Sequence, residues 1–213
     1  MPRNLARAAF AAALLLAPAA FAEDLLQDLS IAVANDRAND VRTLLARGVD
    51  ANSVDAHGDP LIVIAAREGS DKSLGVLLAA NPRVDARNRY GETALMLAAM
   101  KGNLGIARKL RERGAALDFP GWTPLIYAAT AGHDDMVRYL LEQGAKIDAT
   151  APNGTTALMM AVREHKIETA ELLVQRGADV NARNENGATA LQWALRGNEA
   201  EFAERLRRAG ARG

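Results

Sequence analysis

The fold of this 213-residue chain is decided by one stretch, residues 154–191, which reads GTTALMMAVREHKIETAELLVQRGADVNARNENGATAL. The stretch opens with Gly154-Thr155-Thr156-Ala157-Leu158 and returns to the same pattern at Gly187-Ala188-Thr189-Ala190-Leu191, 33 residues later. A pattern that recurs at a fixed period of about 20 to 50 residues is typical of repeat proteins, in which each unit packs on its neighbours.

The same pattern extends towards the N-terminus. Its glycine recurs at Gly58, Gly91, Gly121, Gly154 and Gly187, with spacings of 33, 30, 33 and 33 residues. Three apolar columns keep this phase through the chain, and they are Leu29, Ile62, Leu95, Leu125, Leu158 and Leu191, then Ala32, Ala65, Ala98, Ala128, Ala161 and Ala194, then Leu44, Leu77, Leu110, Leu140, Leu173 and Leu206. Ordinary helical periodicity would lose its phase across five loops, so the columns indicate six structural repeats.

These residues resemble the ankyrin family, whose repeat runs G-x-T-P-L-H-x-A-A, continues into a second helix ending in L-L, and closes with G-A-D-V-N. The segment Gly177–Ala182 (GADVNA) matches that ending, and the resemblance covers roughly residues 24 to 213. It implies an all-α solenoid of about six helix-turn-helix repeats with hairpin-like loops. Within a domain of residues 23–213, the predicted repeats are approximately 24–57, 58–90, 91–120, 121–153, 154–186 and 187–213.

Capping residues stand where such repeats need them. Threonines precede four predicted first helices, at Thr93, Thr123, Thr156 and Thr189. Their hydroxyls are expected to accept hydrogen bonds from the first helical turn. Glycines at 114, 144, 177 and 210 stand where the second helices are expected to stop.

Three features depart from the family pattern. Asp59-Pro60-Leu61 replaces x-T-P, so we expect the first helix of the second repeat to lack a threonine cap and to be locally weakened. The family's histidine is absent, and mostly apolar contacts are expected at the positions that replace it, which are Val63, Met96, Ile126, Met159 and Gln192. The loop between Gly114 and Gly121 is three residues shorter than in the other repeats, so its hairpin should project less far.

The N-terminus reads as a secretory signal peptide spanning residues 1–22. Arg3 and Arg7 precede an apolar run from Ala8 to Ala17, and Ala20-Phe21-Ala22 fits an A-x-A cleavage site. Cleavage is predicted after Ala22. Because the chain contains no cysteine, no disulfide is available, which favours the bacterial periplasm over a disulfide-bonded extracellular scaffold.

Partner-binding residues are expected at positions that the fold leaves free, which by resemblance are the loop tips and the exposed side of the first helices. One position on these helices is apolar in all six repeats, namely Ile31, Ile64, Leu97, Tyr127, Met160 and Trp193. Because aromatic residues often dominate interface energy, we predict an apolar groove centred on Tyr127 and Met160. The predicted partner-binding residues are Arg89, Tyr90, Leu97, Phe119, Trp122, Tyr127, Met160, Arg163 and Trp193.

The same pattern admits a structural interpretation. Packing between repeats would bury the apolar column, because a buried column has the same spacing as an exposed one. Trp193 would then shield the C-terminal end of the stack, and Trp122 would fill space beside the short loop. The sequence leaves both interpretations open.

Catalytic and cofactor-binding motifs are absent from the sequence. It contains no G-x-S-x-G, P-loop or G-x-G-x-x-G motif, and its three histidines, His57, His133 and His165, do not stand at metal-ligand spacings. Basic and acidic residues number 26 each, so a nucleic-acid partner is not expected. We therefore predict a protein that is not an enzyme and that needs no cofactor and no metal.

The predicted function is protein–protein interaction in the periplasm. We expect a monomer, free of the membrane after signal cleavage, that binds and modulates or protects a partner protein of unknown identity. The alternative is an inhibitor or immunity-type protein that neutralises a toxic enzyme. The sequence does not separate these two roles.

Overall fold

The computed structural model describes residues 19–212, and the side chains of residues 24–212. Most of the predicted signal peptide, residues 1–18, lies outside the described residues, and residues 19–22 open the first helix. The regular structure of the described residues is a succession of helices, with isolated β-bridges at three of the hairpins. The helices are α1 Ala19–Ala34, α2 Ala38–Ala46, α3 Leu61–Glu68, α4 Asp71–Ala79, α5 Ala94–Lys101, α6 Leu104–Glu112, α7 Pro124–Ala131, α8 Asp134–Glu142, α9 Ala157–Arg163, α10 Ile167–Gln175, α11 Ala190–Arg196 and α12 Ala200–Arg208.

The chain forms two compact units. The first comprises the described residues up to Ala94 together with Arg108–Ala115. In this unit α1 packs on α2, α3 and α4, while α4 also packs on α2 and α3. Column residues such as Leu29, Ile62 and Leu77 are buried here, as the repeat pattern predicts.

The second unit comprises Leu95–Ala107 and the described residues from Ala116 onwards. Helix α9 packs on α7, α10 and α11, and further contacts join α7 to α8, α8 to α10 and α11 to α12. Leu125, Leu158 and Leu191 are buried with at most 2% of their surface exposed. The second unit therefore repeats the packing scheme of the first.

In three repeats a threonine caps the N-terminus of the first helix, namely α7, α9 and α11. The Oγ1 atoms of Thr123, Thr156 and Thr189 accept hydrogen bonds from the backbone N–H three residues later, each at 3.3 Å. At α3 the residue before the helix is Pro60, and no side chain caps its N-terminus. The cap pattern is thus confirmed at these helices, and so is its absence from the second repeat.

The positions that replace the family's histidine lie in the core. Val63, Met96, Ile126 and Met159 are buried, which confirms the expected apolar contacts. Gln192 behaves differently, because its side-chain Oε1 accepts a hydrogen bond from the backbone N–H of Thr189 at 3.3 Å. Together with the Thr189 hydroxyl it forms a capping box at the start of α11.

Candidate protein-binding surface

The loop tips are held by a side-chain clamp that stands three residues before the loop glycine. In the hairpin of residues 87–93, the Oδ1 atom of Asn88 accepts hydrogen bonds from the backbone N–H groups of Tyr90 and Glu92, at 3.0 and 2.9 Å. Asp55 and Asn184 bind their own hairpins through the same two bonds. A short acceptor side chain therefore fixes the backbone of each of these tips.

Sequence reasoning missed these clamp residues. Their signal is present in the sequence, because Asp55, Asn88 and Asn184 each stand three residues before Gly58, Gly91 and Gly187. Asp and Asn side chains often hydrogen-bond the backbone two residues further on and so stabilise turns. An Asp or Asn three residues before a loop glycine is therefore the sequence signal for the residue that holds the tip.

The shortened loop of the second unit is built differently. Asp118 stands at the clamp position, but its carboxylate accepts hydrogen bonds from the backbone N–H of Lys146, at 3.2 and 3.4 Å. The next hairpins are also joined laterally, since Glu185 N–H donates to the carbonyl of Asn153 at 3.0 Å. At Gly154, whose φ is +75°, an added Cβ would lie 3.1 Å from the Cα of Asn184, so glycine allows this close approach.

The hairpin tip of the first unit presents Arg89 and Tyr90. Tyr90 is 70% exposed, and the Arg89 guanidinium carbon lies 4.9 Å from the centroid of its ring. Arg87 closes the hairpin by donating to the Gly91 carbonyl at 2.9 Å. Arg89 and Tyr90 are therefore both exposed at this tip, and their role in partner binding stays a prediction.

The structure brings Trp122 and Tyr127 together, and we call these two residues the aromatic pair. Their ring centroids are 5.7 Å apart and their planes meet at 67°, an edge-to-face arrangement. Trp122 is 38% exposed and Tyr127 is half-buried. Between them Thr123 caps α7, so the backbone that carries both rings is fixed. Phe119, three residues before Trp122, is also half-buried.

Two residues of the predicted groove are corrected by the structure. Met160 is 1% exposed and Leu97 is 9% exposed, so both are core residues. For Met160 the reason is that α9 packs between α7 and α11. The column is therefore buried by packing at Ile64, Leu97 and Met160, whereas Ile31 is exposed and Tyr127 and Trp193 are half-buried. The prediction of a groove centred on Tyr127 and Met160 is wrong at Met160.

The remaining predicted residues stay at the surface. Trp193 on α11 is half-buried and Arg163 at the end of α9 is exposed. The Arg163 Nε atom donates to the neighbouring Glu164 carboxylate at 2.9 Å. Surface pairs of this kind contribute little to stability, so the guanidinium is free to exchange this partner for another.

An ion pair with one buried partner lies at the hairpin of residues 54–60. The Asp59 side chain is 8% exposed and pairs with Arg67 of α3. Burial lowers the pKa of Arg67, but hydrogen bonds to Asp59 and Glu68 outweigh this effect and raise its pKa above the ordinary value. The other carboxylate oxygen, Oδ1 of Asp59, is buried without a hydrogen bond in the described part of the chain. Asp59 therefore depends on Arg67 for charge compensation.

The histidines do not converge on a site. His133 contacts the Met100 carbonyl oxygen through Nε2 at 3.0 Å, and His165 pairs with Glu199 at 2.8 Å. Within the described residues no group of three or more His, Cys, Asp or Glu side chains is arranged to hold a metal ion. The helices of residues 19–212 also include none that is long and apolar enough to cross a membrane.

The chain matches a known repeat family over most of its length. The family model described as "Ankyrin repeats (3 copies)" matches residues 29–120, 62–151, 114–184 and 146–212, which together span most of the chain. This chain belongs to the ankyrin repeat family. Ankyrin repeats generally mediate protein–protein interaction, and their fold is known as a non-enzymatic interaction module.

A solved bacterial structure supports the same fold for this ankyrin chain. The crystal structure of an ankyrin repeat domain from Acinetobacter baumannii AYE is 28% identical, with a TM-score of 0.77. The match covers 86% of this chain and 98% of that one. The predicted all-α ankyrin-repeat fold class is thereby confirmed.

Curated relatives resemble the ankyrin chain over shorter segments. The Ankyrin repeat and KH domain-containing protein mask-1 of Caenorhabditis elegans is 40% identical over 77 residues, which are 35% of this chain and 3% of that protein. Ankyrin repeat domain-containing protein 37 of Xenopus tropicalis is 42% identical over 66 residues, 31% of this chain and 40% of the relative. The chain thus spans less than half the length of these relatives.

Proposed function

We propose that this chain is a non-catalytic interaction module of the periplasm, which binds and modulates or protects a partner protein through the aromatic pair and its exposed loop tips. The single observation that carries the proposal is the aromatic pair itself. Tryptophan and tyrosine are enriched among the residues that dominate binding energy. An exposed tryptophan on a soluble surface is therefore a strong candidate for an interface anchor.

The geometry of the aromatic pair supports this role. Because Tyr127 contacts the Trp122 ring edge-to-face and Thr123 caps the helix between them, the indole is held before a partner arrives. Holding a side chain in its bound conformation lowers the entropy cost of association. Tyr90 offers a second exposed aromatic surface in the first unit, with Arg89 stacked on its ring.

The periplasmic part of the proposal is supported by the sequence. Two N-terminal arginines, a short apolar run and Ala20-Phe21-Ala22 together have the composition of a cleaved signal. Cell fractionation followed by N-terminal sequencing tests it, and a mature chain starting at Glu23 in the periplasm is the expected result. A chain that keeps residues 1–22 in the cytoplasm contradicts it.

Substitution of Trp122 tests the binding surface. We expect Trp122→Ala to cost about 2 kcal/mol or more of binding energy, which is about a 30-fold loss of affinity. The assay is quantitative pull-down from periplasmic extract, followed by titration calorimetry with each recovered protein. Activity of the recovered protein, measured with and without the chain, separates an adaptor from an inhibitor.

A matched control is available on α11. Leu195 is 46% exposed and was not predicted to bind a partner, so Leu195→Ala should leave every interaction intact. Circular dichroism must show that both variants remain folded. If Trp122→Ala retains all partners at wild-type affinity, the aromatic pair is not the binding surface.

A further inference from the structure

The second helices of the first unit enclose a groove that the proposed function does not use. It lies between α2 and α4, which pack on each other, and its volume is about 1140 Å³. Leu45, Gly75, Val76 and Ala79 supply an apolar lining. Leu45 and Val76 are half-buried and Ala79 is exposed, so the groove opens to solvent.

Gly75 is unusual among the six repeats. In the other five, the same position of the second helix carries a long charged side chain, namely Arg42, Arg108, Arg138, Glu171 and Glu204. Glycine inside a helix is destabilising relative to alanine. The backbone at Gly75 does not have a positive φ, and an added Cβ would meet no atom within 4 Å. Neither backbone geometry nor internal packing therefore accounts for the glycine.

A close approach by another molecule would account for the glycine. Glycine is the usual residue where a backbone or ligand must come near the main chain. In this groove the missing side chain removes a charged residue from the centre of an apolar surface. Ala79 lies one turn further along α4, on the same side of the helix, and its side chain is also small.

The charges at the groove are basic and uncompensated. Lys72 is exposed and has no ion-pair partner among the residues described, and Arg42 donates to the uncharged Asn39 amide oxygen at 2.8 Å. The nearby carboxylate of Asp71 is already paired with Lys109 at 2.6 Å. The groove therefore complements carboxylates. A second copy docked groove to groove would place Arg42 and Lys72 opposite the same two cations, which is unfavourable.

We propose that this groove docks an amphipathic helix of a partner protein, with small apolar residues on its contact face and Asp or Glu residues beside them. An amphipathic helix in an apolar groove is a common recognition mode. The axes of packed helices lie about 8–10 Å apart, depending on the side chains at the contact, and small side chains favour the shorter distance. The inference concerns the first unit and does not rest on the aromatic pair of the second.

The test uses the full-length ¹⁵N-labelled chain and two synthetic helical peptides. Both peptides carry the same Ala/Leu face, flanked by Glu in one and by Lys in the other. We expect the Glu peptide to shift amide signals of α2 and α4 and to bind at least about tenfold more tightly than the Lys peptide. Lys72→Glu should weaken the Glu peptide and favour the Lys peptide.

Gly75→Gln supplies the decisive variant, because it places a long side chain at this position, as in the other repeats, without adding a charge. It should weaken the Glu peptide at least tenfold while the thermal unfolding temperature is unchanged or higher, since the added side chain meets open space. Arg138→Ala, at the same position of α8, is the matched control and should not change binding.

Three results would overturn the proposal. They are equal binding of the two peptides, undiminished binding by Gly75→Gln, or a dimer seen by sedimentation that Gly75→Gln dissociates, which would assign the groove to a second copy. Trp122→Ala should leave peptide binding unchanged. Failure at the groove can therefore be told apart from failure of the proposed function.

Discussion

The burial of Met160 gives a direct test of how the apolar column is used. Met160 is 1% exposed on α9, which packs on both α7 and α11. Met160→Ala removes three heavy atoms from a closed interface and leaves a cavity. Substitutions of this kind in protein cores cost about 2–5 kcal/mol, so we expect a loss of about 3 kcal/mol in the free energy of unfolding.

Urea denaturation followed by tryptophan fluorescence measures this loss. The chain has two tryptophans, and Trp122 and Trp193 both belong to the second unit, as Met160 does. Leu195→Ala is the control, because this exposed leucine should change stability by less than about 0.5 kcal/mol. A Met160→Ala variant as stable as the control would refute the packing role of Met160 and would favour the original prediction that Met160 binds a partner.

Two further predictions concern stability. Thr189→Ala should lower the free energy of unfolding by about 1 kcal/mol, because it removes half of the capping box at α11; unchanged urea denaturation would show that the box contributes nothing in solution. Arg67→Ala should cost about 1–3 kcal/mol, because it leaves the buried Asp59 carboxylate without its partner. The double variant Asp59→Ala/Arg67→Ala should recover part of that loss in thermal melts, and a double variant no more stable than Arg67→Ala would contradict this explanation.

Repeat spacing was sufficient to predict the fold. The column that begins at Leu29 and the column that begins at Ala32 keep the repeat spacing across all the loops. Such spacing is typical of units that pack on one another in succession. Threonine caps were equally predictable at Thr123, Thr156 and Thr189, because the hydroxyl acts on the backbone three residues later.

The candidate site was predicted only in part. Arg89, Tyr90 and Trp122 follow from loop position, since loop tips are exposed in any such repeat. Leu97 and Met160 were misplaced, because one residue per repeat on a first helix has the same spacing whether it faces solvent or the next helix. Only the packing of neighbouring helices decides between these two cases.

The edge-to-face contact of Trp122 with Tyr127 lay outside sequence reasoning for another reason. It depends on ring orientations that spacing does not encode. The ion pair between Asp59 and Arg67 is similar, because Asp59 lies just before α3 and Arg67 lies in its last turn, eight positions later. Whether two side chains meet along the length of a helix depends on their conformations in the folded chain, which the spacing does not give.

The hairpin clamps make the backbone conformation of a tip independent of the side chains that the tip carries. At Asn88 and Asn184 the clamp binds backbone N–H groups, which every residue except proline supplies. The side chains at 89–90 and 185–186 can therefore be exchanged without altering the hairpin that carries them. These two tips are natural positions for grafting a new binding specificity. The loop around Asp118 is not, since its carboxylate is committed to the backbone of Lys146.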